Sequence, residues 1–159
     1  MTATAPVSFH AGMADFDATA WNALAGDYPF LRHEFLAALE TSGCVAPATG
    51  WTPRHLLLGE AAQPLLLAPL YEKSHSWGEF VFDFAWARAW ESRGLDYYPK
   101  LLLAIPFTPA SGPRLLCNGA NEQVRGSLRL AALRAVAGDA QARGRSSVHA
   151  LFIDDALRA

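Results

Sequence analysis

The chain predicts an α+β (mixed α/β) fold, a mixed sheet flanked by helices, on three observations. Strand-length apolar runs and helix-period stripes alternate in the order β, α, α, β, β, a helix-bearing insertion, β, α, β, which suits sheet-and-helix layers and not a bundle or an up-and-down barrel. The 159 residues, 52% of them hydrophobic, suffice for one sizeable core and are too few to favour two. No repeat, low-complexity tract or flexible linker divides residues 1–159, so a single domain is expected.

The elements follow in order. Val7 to His10 alternates weakly as a short strand. Asp15 or Asp17 can cap a helix carrying Trp21 and Leu24, which Gly26, Asp27 and Pro29 end. Phe30 to Leu39 puts Leu31, Phe35, Leu36 and Leu39 on one stripe, a second helix stopped by Ser42-Gly43. Pro47 to Pro53 reads as loop. Arg54 to Glu60 and Pro64 to Lys73 form a hairpin turned at Gly59 to Gln63.

From Ser76 to Phe84, Phe80, Phe82 and Phe84 alternate with Glu79, Val81 and Asp83, which favours an extended segment. Asp83 can cap the helix that follows, Ala85 to Arg93, which Gly94 ends. Lys100 to Ile105 is a buried strand between prolines, and Pro113 to Cys117 a further one. Asn121 to Arg143 is the longest helix, with Val124, Leu128, Ala131 and Ala135 on one face and Leu130, Leu133 and Ala137 widening it. Ser147 to Ile153 is a last strand, and Asp154-Asp155 opens a helix that the chain reads as leaving unfinished at Ala159.

Charge and composition exclude several classes. A net charge of −2 with no basic block argues against DNA or anionic lipid as partner. The start, MTATAPVS, lacks the regions of a signal peptide, and the longest apolar runs fall short of a transmembrane segment, so a cytoplasmic protein is expected. Cys44 and Cys117 lack metal-type spacing and read as reduced structural cysteines.

The chemistry concentrates between Tyr71 and Leu116. Lys73, His75, Glu79, Asp83 and Lys100 lie there among three tryptophans and paired tyrosines, a mixture that suits the lining of a site. Glu79 and Asp83 are the leading acid/base candidates, with His75 next. An extended chain would hold the two carboxylates roughly 13 Å apart, against about 6 Å in a helix, so they share a reacting centre only if the segment bends or coils. The structural alternatives are a cap for Asp83 and a pairing of Glu79 with Lys73 or Lys100.

Trp77 beside Gly78 can border a pocket, and Tyr97, Tyr98 and Lys100 form a second group that can hold a sugar, carboxylate or phosphate. Lys100 can equally form a salt bridge, and one of Tyr97 and Tyr98 reads as core. Arg114, after the rigid Thr108 to Pro113 loop, is the preferred substrate anchor. His75, Glu79 and Asp83 without a second histidine do not make a metal set. Neither Ser74 nor Ser76 with His75 makes a nucleophile pair, since neighbours on a strand face opposite ways. His10, His33, His55 and His149 read as packing or exposed residues.

The runs KSHSWGEFVFDFAWA, GLDYYPKLL and PFTPASGPRLL, with FLRHEFLAALE and TGWTPRHL before them, resemble the predicted bacterial N-acyltransferases related to the Fem peptidoglycan-bridge aminoacyltransferases. The likeness covers most of residues 28–154. It implies a GNAT-like domain, the first of two in a longer polypeptide, that transfers an acyl or aminoacyl group to an amine such as that of a peptidoglycan precursor. It further implies an acyl-CoA or aminoacyl-tRNA donor engaged with a second, C-terminal GNAT-like domain. The acceptor surface would then lie around Lys73, His75, Trp77, Glu79, Asp83, Tyr98, Lys100 and Arg114.

The place where a GNAT domain receives pyrophosphate reads Cys117-Asn118-Gly119-Ala120-Asn121-Glu122-Gln123. One glycine and an acidic first turn suit phosphate poorly, so no cofactor is expected on this half and no turnover by it alone. The alternative is a non-catalytic GNAT-like module for ligand recognition or interdomain packing.

Overall fold

The computed structural model of the chain describes residues 5–158 and shows a mixed α+β fold. Its strands divide between two four-stranded sheets rather than lying in one. The first sheet has the order β1 (Val7–His10), β3 (His55–Glu60), β4 (Gln63–Ala68), β7 (Leu116–Cys117), with every pair antiparallel. The second has the order β2 (Trp51–Pro53), β5 (Leu70–Lys73), β6 (Lys100–Leu103), β8 (Val148–Ala150), and its last pair is parallel.

One long hairpin supplies strands to both. It runs from Trp51 to Lys73 and breaks at Arg54 and Pro69, where Arg54 N–H still donates to Leu70 O at 2.9 Å. Trp51 to Pro53, expected as loop, is therefore strand, because Trp51 is buried and pairs with Lys73.

The apolar runs are continuous in β3 and β4 because both faces of the first sheet are covered. Leu56, Leu58, Leu66 and Ala68 face Ala132, Val136 and Ala140 of α4 (Glu122–Ala142). On the opposite face Leu57, Leu67 and Leu116 meet Trp21 of α1 (Ala18–Ala25) and Leu36 of α2 (His33–Thr41). Asp17 caps α1 through Ala20 N–H at 2.8 Å, as its position predicts. The second helix begins later than its stripe suggests, because Pro29–Leu31 forms a 3-10 turn and Arg32 is extended.

Helix α4 follows its predicted span, capped by Asn121, and Leu128 and Ala135 of its predicted face pack against the core, but the buried face is rotated from the one predicted. Val124, Leu130 and Leu133 are exposed, and the buried line is Ala132, Val136 and Ala140 at four-residue spacing. Small side chains let the helix lie close on the leucines of both sheets, Leu101 and Leu103 included. Arg54 locks it there by a two-point bond to Asp139, Nε to Oδ2 at 2.6 Å.

Between β5 and β6 lies the region that carries the chemistry. Ser76 to Asp83 is a series of turns and not the extended segment expected, with Gly78 at φ 82° and Phe80 at φ 60°. A Cβ at Gly78 would lie 2.6 Å from the Phe107 ring, so glycine is required there twice over. The short helix α3 (Phe84–Glu91) follows. The chain closes with β8 and α5 (Asp155–Arg158). Among the described residues, no helix is long and apolar enough to cross a membrane.

Candidate functional site

The register of the second sheet builds the floor of the site. The pairings Trp51↔Lys73 and Lys73↔Lys100 align three side chains in one row across β2, β5 and β6. Ser147, whose carbonyl accepts from Leu101 N–H at 2.9 Å, continues the row toward β8. The next row holds Tyr71, Leu102 and His149. Alternation sends Leu101 and Leu103 to the opposite face and into the α4 core, so the polar groups share the face away from that helix.

Two lysines thus stand opposite each other on neighbouring strands, both fully buried, a juxtaposition that costs free energy unless anions answer it. Turns 76–83 supply the answer. Lys100 Nζ donates to Glu79 Oε2 at 2.9 Å and to Asp83 Oδ2 at 2.6 Å. The bend that brings the carboxylates to one ammonium is what an extended segment would have prevented.

Asp83 collects further donors. Tyr97 O–H reaches its Oδ2 at 2.6 Å, Tyr98 O–H its Oδ1 at 2.9 Å, and Ser76 O–H donates to the same Oδ1, with the Ser76 and Tyr98 oxygens in hydrogen-bond contact. Asp83 occupies the position before α3, but its side chain makes no cap bond and turns inward instead. Burial pushes its carboxyl upward, yet the bonds from Lys100, Tyr97 and Tyr98 outweigh burial and hold it below the ordinary range. The tyrosines respond in the opposite sense. Burial and the Asp83 carboxylate push the Tyr98 hydroxyl up to about 12 and raise that of Tyr97 as well.

Glu79 differs from Asp83 in one respect. Its Oε2 is bonded to Lys100, but its Oε1 is buried with no hydrogen-bond partner among the described residues. Burial raises the Glu79 carboxyl above its usual range in spite of Lys100. The residue lines a cleft of about 460 Å³ together with Phe82, Trp86, Trp90, Ser147 and His149. A buried acceptor atom without a donor, on a residue that lines an aromatic cleft, is a place for a ligand's N–H or O–H.

Lys73 is held differently. Its Nζ lies 3.8 Å from the centre of the Trp51 ring and donates to Trp77 O at 3.1 Å. Burial lowers its pKa to about 8, and the like charge of Lys100 adds to this against the attraction of Glu79. Above about pH 8 the folded chain sheds this proton, whereas the unfolded chain keeps it to about 10.4. Stability relative to the Lys73→Met variant should therefore rise as pH increases from 8 to 9.5, measured by urea unfolding. A difference that stays constant over that window would refute this placement of the ammonium.

The structure brings Lys73, Glu79, Asp83, Tyr98 and Lys100 into one cluster and sets three other expected site residues apart. His75 is turned back against Gly50, where a Cβ would meet its Nε2 at 2.2 Å, and its Nδ1 accepts from Trp77 N–H at 3.2 Å. Trp77 is 64% exposed and takes part through its carbonyl rather than its ring.

Arg114 is 0% exposed and gives its donors to backbone carbonyls: Nε to Leu151, Nη1 to Gly112 and Pro113, and Nη2 to Ala110 at 2.7 Å. Its guanidinium faces protein rather than a cleft. Tyr97, grouped with Tyr98 and Lys100 in the sequence, joins the cluster through Asp83. Ser76, Ser147 and His149 stand out only in the structure; nothing local in the sequence pointed to Ser147 and His149, which parallel pairing with β6 delivers. Among the described residues, no group of three or more histidine, cysteine or acidic side chains could hold a metal ion.

A family model for FemAB-like proteins, described by peptidoglycan biosynthesis and recognition, matches residues 12–159. The chain belongs to this family. No curated protein and no solved structure gives a significant match.

Proposed function

We propose that this domain is the acceptor-binding, GNAT-like half of an N-acyltransferase that joins an acyl or aminoacyl group to the amine of a peptidoglycan precursor in the cytoplasm. The observation that carries the reading is the buried, unpartnered Oε1 of Glu79, a residue that lines the aromatic cleft. An acceptor's ammonium donates to that oxygen, while Lys100 holds the other oxygen and Asp83 still. The donor, acyl-CoA or aminoacyl-tRNA, belongs with a second domain. The start of α4 supports this division of labour: Asn121 already caps Val124 N–H, and Glu122, paired with Arg125 and Arg129, places a carboxylate where phosphate would lie. Membership of the FemAB-like family supports the choice of acceptor.

Substituting Glu79→Gln in the full-length protein should lower kcat/KM for the amine by about 100-fold, because a neutral amide does not attract an ammonium as a carboxylate does. The second reading, a recognition module without catalysis, draws on the mutual satisfaction of Lys100 and its two carboxylates. Turnover unchanged by Glu79→Gln would select it.

A further inference from the structure

An ammonium held on Glu79 cannot attack a carbonyl until it loses a proton. The cluster itself provides a poor base: Asp83 is kept ionised and proton-averse by four donor groups, and Glu79 is engaged with Lys100. The half-buried imidazole of His149 lines the same cleft. Its Nε2 lies 2.8 Å from Ser147 Oγ, and its ring meets that of Tyr97 with centroids 6.2 Å apart.

The chain contains an internal comparison. Ser8 and His10 on β1 make the same contact at 2.9 Å, so a serine two residues before a histidine on a strand is a local way of fixing the ring. What sets His149 apart is what it faces. The register places it beside Leu102 of β6, on the face that carries Lys100, and the cleft's other charged groups are Glu79 and Asp83.

We propose that His149 is the base that takes the proton from the acceptor ammonium, and that Ser147 positions its ring. With Nε2–H donated to Ser147 Oγ, the lone pair of Nδ1 is free, and among the described residues that nitrogen has no hydrogen-bond partner. Burial, helped by the charge of Lys100, lowers the imidazole pKa and keeps it neutral at physiological pH.

The step balances as follows. His149 removes one proton from R–NH3+ and passes it to solvent; the amine nitrogen bonds to the carbonyl carbon of an activated ester or thioester donor. As the carbon–oxygen or carbon–sulfur bond breaks, the proton lost from nitrogen goes through the same imidazole to the leaving group. The inference rests on the acceptor-site reading above.

Benzylamine, an ammonium attached to a flat ring, is a suitable probe for a cleft walled by Phe82 and Trp86. NMR titration of the imidazoles in the 159-residue chain reads the site directly. Saturating benzylammonium should move the His149 midpoint down by about one pH unit, because a cation settles beside it. Glu79→Gln should abolish the shift. In Ser147→Ala the shift should shrink, as the ring loses its fixed orientation.

Binding that depends on Glu79 but leaves the His149 titration unmoved overturns the inference and spares the acceptor site. Absence of binding in the wild-type chain overturns both.

Discussion

Lys100→Met should lower the melting temperature by about 10 °C at pH 7. Removing the ammonium takes away the one donor that bonds both Glu79 and Asp83 and leaves the two carboxylates facing one another in the interior. Breaking a buried pair in this way costs about 3–5 kcal/mol, and each kcal/mol is worth about 2–4 °C in a chain of this size. The sign of the pH dependence should also change. In the wild type the depressed Asp83 contributes stability that is complete above the unfolded carboxyl value of about 3.9 and lost as pH falls through the lower folded value.

Without Lys100 the Glu79 carboxyl, already raised by burial, loses the partner that holds it down and favours its protonated form in the fold, so the variant should regain stability on acidification from pH 7 to 5. Adding Glu79→Leu should recover part of the loss at pH 7 by removing one unpaired charge. Circular dichroism melts at the two pH values measure this. A melting point within 2 °C of wild type at pH 7 would refute the burial of this ion pair.

Arg114→Met should destabilise the fold by about 2–4 kcal/mol, since hydrogen bonds to a charged donor are worth about 1.5–3 kcal/mol each and do not add fully. The effect should be local in its first signs. The guanidinium ties residues 110–113 to Leu151, and beside it Gly112 N–H donates to Phe152 O at 3.0 Å and Leu151 N–H to Leu103 O at 3.0 Å. Hydrogen exchange at Gly112 and Leu151 should accelerate well before that of the β3–β4 core. Arg114→Lys should rescue little, because three donors on a flexible stem cannot replace a planar fork of five. An anchor for substrate would behave in the opposite way, losing ligand affinity while exchange and melting stayed as they were.

The contrast between these two residues shows what could be read in advance. Both are cations beside apolar strands, and the sequence offers each as a partner for ligand. The loop before Arg114 was legible as rigid, but not that its carbonyls turn inward to take up the guanidinium. The helices and the hairpin were visible because their periodicities are local: Asp17 and Asn121 cap where their positions say they should. The face of α4 was legible only in part: Leu128 and Ala135 pack on the core as their positions suggest, whereas the larger Val124, Leu130 and Leu133 are exposed and Ala132 and Ala140 are buried. Propensity ranks side chains by hydrophobicity, whereas close packing against two sheets selects them by size.

At the candidate site, Glu79, Asp83, Tyr98 and Lys100 were legible as a group from their concentration among aromatic residues. How they meet was not. The alternation of phenylalanines from Phe80 to Phe84 points to a strand, and the pull of one buried ammonium on two carboxylates bends the segment instead. Ser147 and His149 needed long-range pairing to reach the cleft, and no pattern of neighbours encodes that.

The cross-strand row of Lys73 and Lys100 also bears on how the chain finds its fold. Slipping β6 by one residue against β5 would swing Lys100 into the leucines beneath α4 and lift Leu101 among the carboxylates. Both errors are severe, and they arise together. The ionic cluster therefore proofreads strand pairing: only the register that assembles the cleft lets both charges find partners, so a molecule with its second sheet mispaired cannot persist as a nearly folded competitor.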